Sequence, residues 1–263
     1  IKFDGEYRVL GCIPSDDNHD FPDFGSQLFG QAQHDLREID LTAAFLTRIN
    51  DQGSTSSCVG QGCDAGMELV WQQTGNKPID FDAYFTYGLI NGGRDAGAMI
   101  SAGLMALKSK GACPKGILKP GQMYQQQFPQ EAFAQAMRYR LSLGYKCNSF
   151  DEICQALNIG FCCPLGIMVG DNFSRVDSEG ICPLYDRGGG GHCILGVGLK
   201  KHARYGWLIK IQNSWGTRFG INGFAYLRRE HFSRMAPDAF AIQAVFGDPQ
   251  DNNTEDDVPV VTG

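Results

Sequence analysis

The chain has 263 residues, 43% of them hydrophobic and 20% charged, with a formal net charge of −6. That usage fits one large globular domain or two lobes and excludes collagen, coiled coil and wholesale disorder. Asp248, Asp251, Glu255, Asp256 and Asp257 carry most of the negative balance, and the nearly neutral body has no Lys/Arg stripe of the kind a nucleic-acid binder needs. No apolar run approaches the roughly 18–20 residues of a bilayer crossing, and the first residues lack the basic flank and apolar core of a signal peptide. An intracellular or virion-associated protein without membrane contact is expected. The chain starts at Ile1 rather than Met, so processing of an earlier start stays open. Ten cysteines lack zinc-type spacing and are expected to be reduced thiols.

Residues 1–30, rich in Asp, Gly, Pro and Phe without a period, predict an extended arm lying on the body. Val59, Cys63, Gly66, Met67 and Val70 then recur at helical spacing, with Ser56 and Ser57 as candidate caps and Gly75 as a stop. Ile100, Leu104 and Leu107 repeat the pattern before Gly111. Phe133, Ala136, Met137 and Leu141 repeat it before Gly144. Ser149 with Glu152 has the spacing of a capping box and opens a short helix ending near Gly160. After that the period changes. Cys163–Val169 and Cys193–Leu199 are short apolar runs, Trp207, Ile209 and Ile211 alternate, and further strands start at Phe224 and Phe240. Helices first and strands second predict an α+β chain: arm 1–30, helical lobe 31–145, sheet or barrel lobe 146–247, and a polar acidic tail 248–263, with the cleft between the lobes. The tail reads as disordered by composition; if ordered, a partner chain or a groove on the body should hold it.

Three distant segments carry the residues of a thiol nucleophile: Gln52 to Cys58, Gly191-His192-Cys193, and Gln212-Asn213-Ser214-Trp215-Gly216. At the start of a helix, Cys58 would be pushed toward thiolate by the helix dipole and free N–H groups. His192 alongside would hold the proton and later give it to a leaving amine. Asn213 would accept the other ring N–H, and Trp215 would shield that bond from water. Gln52, across a Gly/Ser turn, would converge with the Cys58 N–H on an oxyanion.

The order Gln…Cys, Gly-His, Asn-Ser-Trp-Gly, spread from about Asp51 to Arg229, resembles the papain family of cysteine peptidases, in the style of its short, prosegment-lacking bacterial and bacteriophage branch. The resemblance implies a helical lobe bearing Cys58 as nucleophile, with Gln52 as oxyanion donor. It also implies an antiparallel β-barrel lobe bearing His192 and Asn213, a polypeptide substrate and no cofactor or metal. Asn91-Gly92-Gly93 looks like the stretch where Gly92 and Gly93 pair with substrate backbone, and Met168 and Gly190 fall near the main specificity pocket. Val59 replaces the family's usual Trp after the nucleophile, Thr55 its disulfide Cys, and Phe219 a second shielding Trp.

Two other readings accompany the peptidase. One is a catalytically silent papain-fold component of a larger assembly or virion, which the Val59 departure and a tail-bound protein partner would suit. The other is a cell-wall peptidase or amidase, which Gln52 and the Asn213-Ser214-Trp215 signature disfavour. Gly188 to Gly191 lacks the Lys and setting of a phosphate loop and is expected to be a loop leading to His192. His19, His34, His202 and His231 are expected at the surface. Cys154, Cys162, Cys163 and Cys182 are expected to pack in the core rather than bind metal.

Overall fold

A computed structural model describes residues 1–15, 21–29, 35–45, 48–232 and 238–246. His19, His34 and the acidic tail lie outside the described residues. The arm forms three two-residue strands, β1 (Lys2–Phe3), β2 (Glu6–Tyr7) and β3 (Cys12–Ile13). β1 and β2 close a hairpin over Asp4 and Gly5, both at positive φ (53° and 82°), the backbone that a two-residue turn matched to strand twist requires. A single π-helical turn, Gly25–Phe29, and the short strand β4 (Ile39–Asp40) lead into the helical lobe.

That lobe holds α1 (Cys58–Gln73), α2 (Ala83–Ile90), the short strand β5 (Ala98–Met99), α3 (Ile100–Lys110) and α4 (Gln130–Ala136). α1 is buried along nearly its whole length. Gly62 explains how it approaches the sheet so closely: a Cβ there would lie 2.9 Å from Cys193 Sγ, closer than real side chains allow. Ser57 precedes α1 without capping it; its hydroxyl meets Thr55 Oγ1 at 2.8 Å and Gln61 Nε2 at 3.2 Å instead. α2 escaped the sequence reading because most of it is apolar on every face. Asp82 caps it by accepting from Tyr84 N at 3.2 Å.

The helix expected through Leu141 ends at Ala136, and Arg140–Cys147 forms β6. The reason is tertiary: β6 pairs antiparallel along β11 (Asp238–Phe246), and that ladder outweighs the local helical spacing. Between them run α5 (Phe150–Asn158), β7 (Cys163–Val169), β8 (Gly190–His202), β9 (Gly206–Gln212) and β10 (Phe224–Leu227). Ser149 caps α5 by accepting from Glu152 N at 3.1 Å. Glu152 returns its carboxylate to Asn148 N at 2.8 Å, one residue earlier than a strict capping box.

Among the described residues, an antiparallel sheet has the order β10-β9-β8-β7-β11-β6, with β4 on β8. β4, and β6 except for its last two residues, thus join the sheet from within residues 31–145. The main core lies where α1 meets this sheet. A second cluster, Phe85, Cys113, Leu118, Phe128, Ala132 and Ala136, fills the helical lobe. No helix of the described residues is long and apolar enough to cross a membrane.

Candidate active site

α1 begins at Cys58, so its first-turn N–H groups have no intrahelical partner. Backbone N–H groups of Cys193, Gly11, Val59 and Cys58 itself favour the thiolate form of the Cys58 sulfur. Cys193 follows His192 on β8, so the sheet brings the histidine strand to the helix start.

His192 is fully buried, and its Nε2 meets Asn213 Oδ1 at 2.8 Å. The same oxygen accepts from Ser214 N at 2.8 Å. Two donors on one oxygen fix the amide so that it presents its acceptor to the ring. That bond leaves Nδ1 without a partner. Trp215 lies 5.0 Å from the imidazole, ring centre to ring centre, with Phe173 edge-on at 6.0 Å. Phe219 packs on both, 5.6 Å from Trp215 and 5.4 Å from Phe173, and supplies the second shielding ring. Phe173 sits in a loop without periodicity, and the sequence offered no signal for it.

Gln52 is fully buried, and its Oε1 accepts from Ser214 Oγ at 2.8 Å. That contact turns Nε2 outward, where it donates to Thr55 O at 2.9 Å and Val9 O at 3.0 Å. Ser214 therefore ties the oxyanion side to the histidine side through one residue, its N–H on Asn213 and its hydroxyl on Gln52. The motif contained Ser214, but nothing in the sequence told which groups it would join.

The arm runs through this site. Val9 O takes Gln52 Nε2, Gly11 N–H lies on the Cys58 sulfur, and Gly11 O accepts from Ala98 N at 2.8 Å, with β3 parallel to β5. A Cβ at Gly97 would collide with Gly11 O, and one at Gly191 with Cys12 O, so both glycines leave room for the arm. Phe3 packs 5.7 Å from Trp215. Arg8, 3% exposed, forks onto the Asp51 carboxylate through both terminal nitrogens. Ser15 closes the far end, its N–H on Asp238 Oδ2 at 3.2 Å.

This cover reverses the expected electrostatics. Burial pushes the Cys58 thiol up to about 11, against the pull of the four N–H groups around it. It drives His192 down to about 4, opposed by the hydrogen bond to Asn213. Without water neither charged form is supported, so the helix-start lowering of the thiol does not prevail.

Neither a family model nor a curated protein matches the sequence. Among solved structures, xylellain, a cysteine protease from Xylella fastidiosa, superposes with a TM-score of 0.75 over 91% of this chain and 97% of that one, at 22% identity. A procathepsin B from Trypanosoma congolense reaches 0.72 over 90% and 86%, at 15% identity. Digestive procathepsin L 3 of Tenebrio molitor reaches 0.66 over 81% and 72%, at 14% identity. The fold is papain-like.

Within the papain-like fold the other expected residues scatter. Gly92 and Gly93 follow α2 at an exposed turn, both at positive φ, with open space where a side chain would go. The edge that pairs with a chain in the cleft is β5, five residues further on. Gly190 faces the arm, with Leu10 Cδ1 3.6 Å from its Cβ position, and Met168 is partly buried opposite Gly191. Only Gly188 and Gly189 of the four glycines form the loop before His192; β8 takes the other two. His202 departs from the surface expectation: it is partly buried and meets Glu179 at 3.3 Å. His231 departs from surface expectation: it is partly buried, with Nε2 3.1 Å from Pro183 O, and burial lowers its pKa. The ten cysteines are free and buried. Among the described residues no group of three or more His, Cys, Asp or Glu could hold a metal ion.

Proposed function

We propose that the chain is a cysteine peptidase of the papain-like type, held latent by its own N-terminal arm. The observation that carries this reading is the His192–Asn213 bond at 2.8 Å on the strand whose next residue touches the Cys58 sulfur. Fold likeness alone would not assign a role to any of these side chains.

In this reading the arm withdraws and water enters, which restores the thiolate–imidazolium pair. The Cys58 thiolate attacks a peptide carbonyl, and the oxyanion forms between Gln52 Nε2 and the Cys58 N–H. His192 gives its proton to the departing amine, which leaves a thioester at Cys58. His192 then takes a proton from water, which attacks the thioester and releases the acid. Asn213 holds the ring throughout. Losing one oxyanion donor typically costs on the order of 2.7–4 kcal/mol in the barrier.

The covered cleft also suits a second reading, a silent papain-fold component of a larger assembly. Covalent labelling with an epoxide-type thiol-peptidase inhibitor separates the two. Selective modification of Cys58 that is lost in His192→Ala supports the peptidase. Labelling no faster than at the other nine cysteines, even after the arm is loosened, supports the silent module.

A further inference from the structure

We infer that a single buried water, held by Asn50, Gln212 and Asn213, locks the Asn213 amide behind His192, which makes Asn50 and Gln212 positioning residues for the histidine. Behind Asn213, between α1 and the sheet, lies a cavity with about 10 Å³ of room for a water's centre, the size of one water site. Asn50, Gln61, Gly62 and Ala65 line it from the helical lobe. Cys193, Ile194, Leu195, Gln212, Asn213 and Ser214 line it from the sheet side. All ten are buried.

Three polar atoms among these residues are buried without a protein partner: Asn50 Nδ2, Gln212 Oε1 and Asn213 Nδ2. For Asn213 and Gln212 the identity of the free atom is fixed by what the other end of the amide does. Asn213 Oδ1 takes His192 Nε2 and Ser214 N, so Nδ2 points away from the ring. Gln212 Nε2 donates to Arg48 O at 3.0 Å, so Oε1 is the free end. Gln61 and Ser214, the other polar side chains lining the cavity, spend groups on Ser57 Oγ and Gln52 Oε1.

Two N–H donors and one acceptor, carried by residues that line one water-sized space, match a water molecule, which accepts twice and donates. A cation would meet two N–H groups. A chloride would meet the Gln212 oxygen and is too large. Leaving three buried polar atoms unpaired would cost far more than ordering one water. The water joins the Asn50 segment of the helical lobe to the amide that orients His192, so it couples the seating of the lobes to the ring plane. Its functional weight rests on the peptidase reading, but its presence does not.

The test has two parts, both on the full chain. A high-resolution crystal structure should show one ordered water within hydrogen-bonding distance, about 2.7–3.2 Å, of all three atoms. An empty cavity, or amides turned to satisfy one another, overturns the inference. In nitrogen-15-labelled protein, the His192 Nε2–H should give a slowly exchanging downfield proton signal. Asn50→Leu and Gln212→Leu should each lose that signal while the protein stays folded, and an unchanged signal overturns the positioning role. Should Asn50→Leu fail to fold, Asn50→Val, which also removes the donor and offers the water no acceptor, serves in its place. Neither readout depends on turnover, so an inactive Cys58 would sink the proposed function and leave this inference standing.

Discussion

Removing the Arg8 side chain should open the cleft. Arg8 is nearly fully buried and forks onto Asp51, whose carboxylate is 48% exposed. A charge-assisted pair of this kind is worth about 1.5–3 kcal/mol, and the exposure of Asp51 places it at the lower end. A loss of about 1.5–2 kcal/mol shifts the closed-to-open ratio by about 10- to 30-fold. The hairpin bonds between Ile1 and Arg8 use backbone atoms and survive Arg8→Ala. The assay is the rate of Cys58 alkylation by iodoacetamide at neutral pH, read by peptide mapping, with thermal melting to confirm the fold. Asp51→Asn keeps an oxygen for Gly53 N, which donates to Asp51 Oδ1 at 2.9 Å, and should accelerate alkylation to a similar degree. The double variant should gain little over either single one. Alkylation in Arg8→Ala no faster than in the parent, with melting unchanged, would refute the latch.

In that opened background, Ser214→Ala frees the Gln52 amide to rotate. Because the oxyanion exists only in the transition state, kcat should fall about tenfold with KM nearly unmoved, and a loss confined to KM would contradict the role. The pH profile of Cys58 alkylation should also change. In the parent the rate should climb about tenfold per pH unit toward the raised thiol pKa, whereas the opened variant should level off at lower pH; superimposable profiles would show that the arm is not what raises the thiol. Asp64, fully buried on α1, accepts from Thr86 Oγ1 at 2.7 Å, and burial pushes its pKa up to about 8. A carboxyl raised in the folded state stabilises fully below its unfolded pKa of about 4, and that contribution is lost as pH rises through 8. Asp64→Asn should therefore stabilise the fold by up to about 4 kcal/mol at pH 7, raise the melting temperature at neutral and alkaline pH, and change little at pH 4; equal effects at pH 4 and pH 8 would refute the assignment.

How much of this was legible in the sequence depends on whether the signal was local. α1 carried its own period and stop, and the helix at Ser149 carried its own cap, so both were readable. Cys58, His192, Asn213 and Gln52 could be singled out as candidates because each sits in a short stretch of distinctive chemistry. β6 was misread as a helix because its partner, β11, lies about a hundred residues away and local spacing cannot report it. The route of the arm was hidden for the same reason. An extended segment was expected, but nothing in Val9, Leu10 or Gly11 says that a backbone carbonyl will find Gln52. Gly97 and Gly191 gave no warning either, since a glycine that makes room for a neighbouring backbone looks like any other until the neighbour is placed.

On the peptidase reading, the arm's own backbone explains why it can fill the site without being cut there. A scissile peptide must bring its carbonyl carbon to the thiol while the oxygen of that same carbonyl reaches Gln52. Here the arm oxygen on Gln52 Nε2 belongs to Val9, whereas the arm group that acts on the Cys58 sulfur is the N–H of Gly11, two residues on. No single peptide unit makes both contacts, and the Gly11 carbonyl is taken by Ala98 N. Sliding the arm into register would break that bond, the β3–β5 pairing and the Arg8–Asp51 fork together. Freshly purified, dilute protein should therefore keep its intact mass over long incubation at neutral pH, with no cleavage after Val9 or Leu10. First-order loss of the arm at either bond, independent of protein concentration, would show that the arm is a slow substrate and would overturn the geometry of latency argued from these contacts.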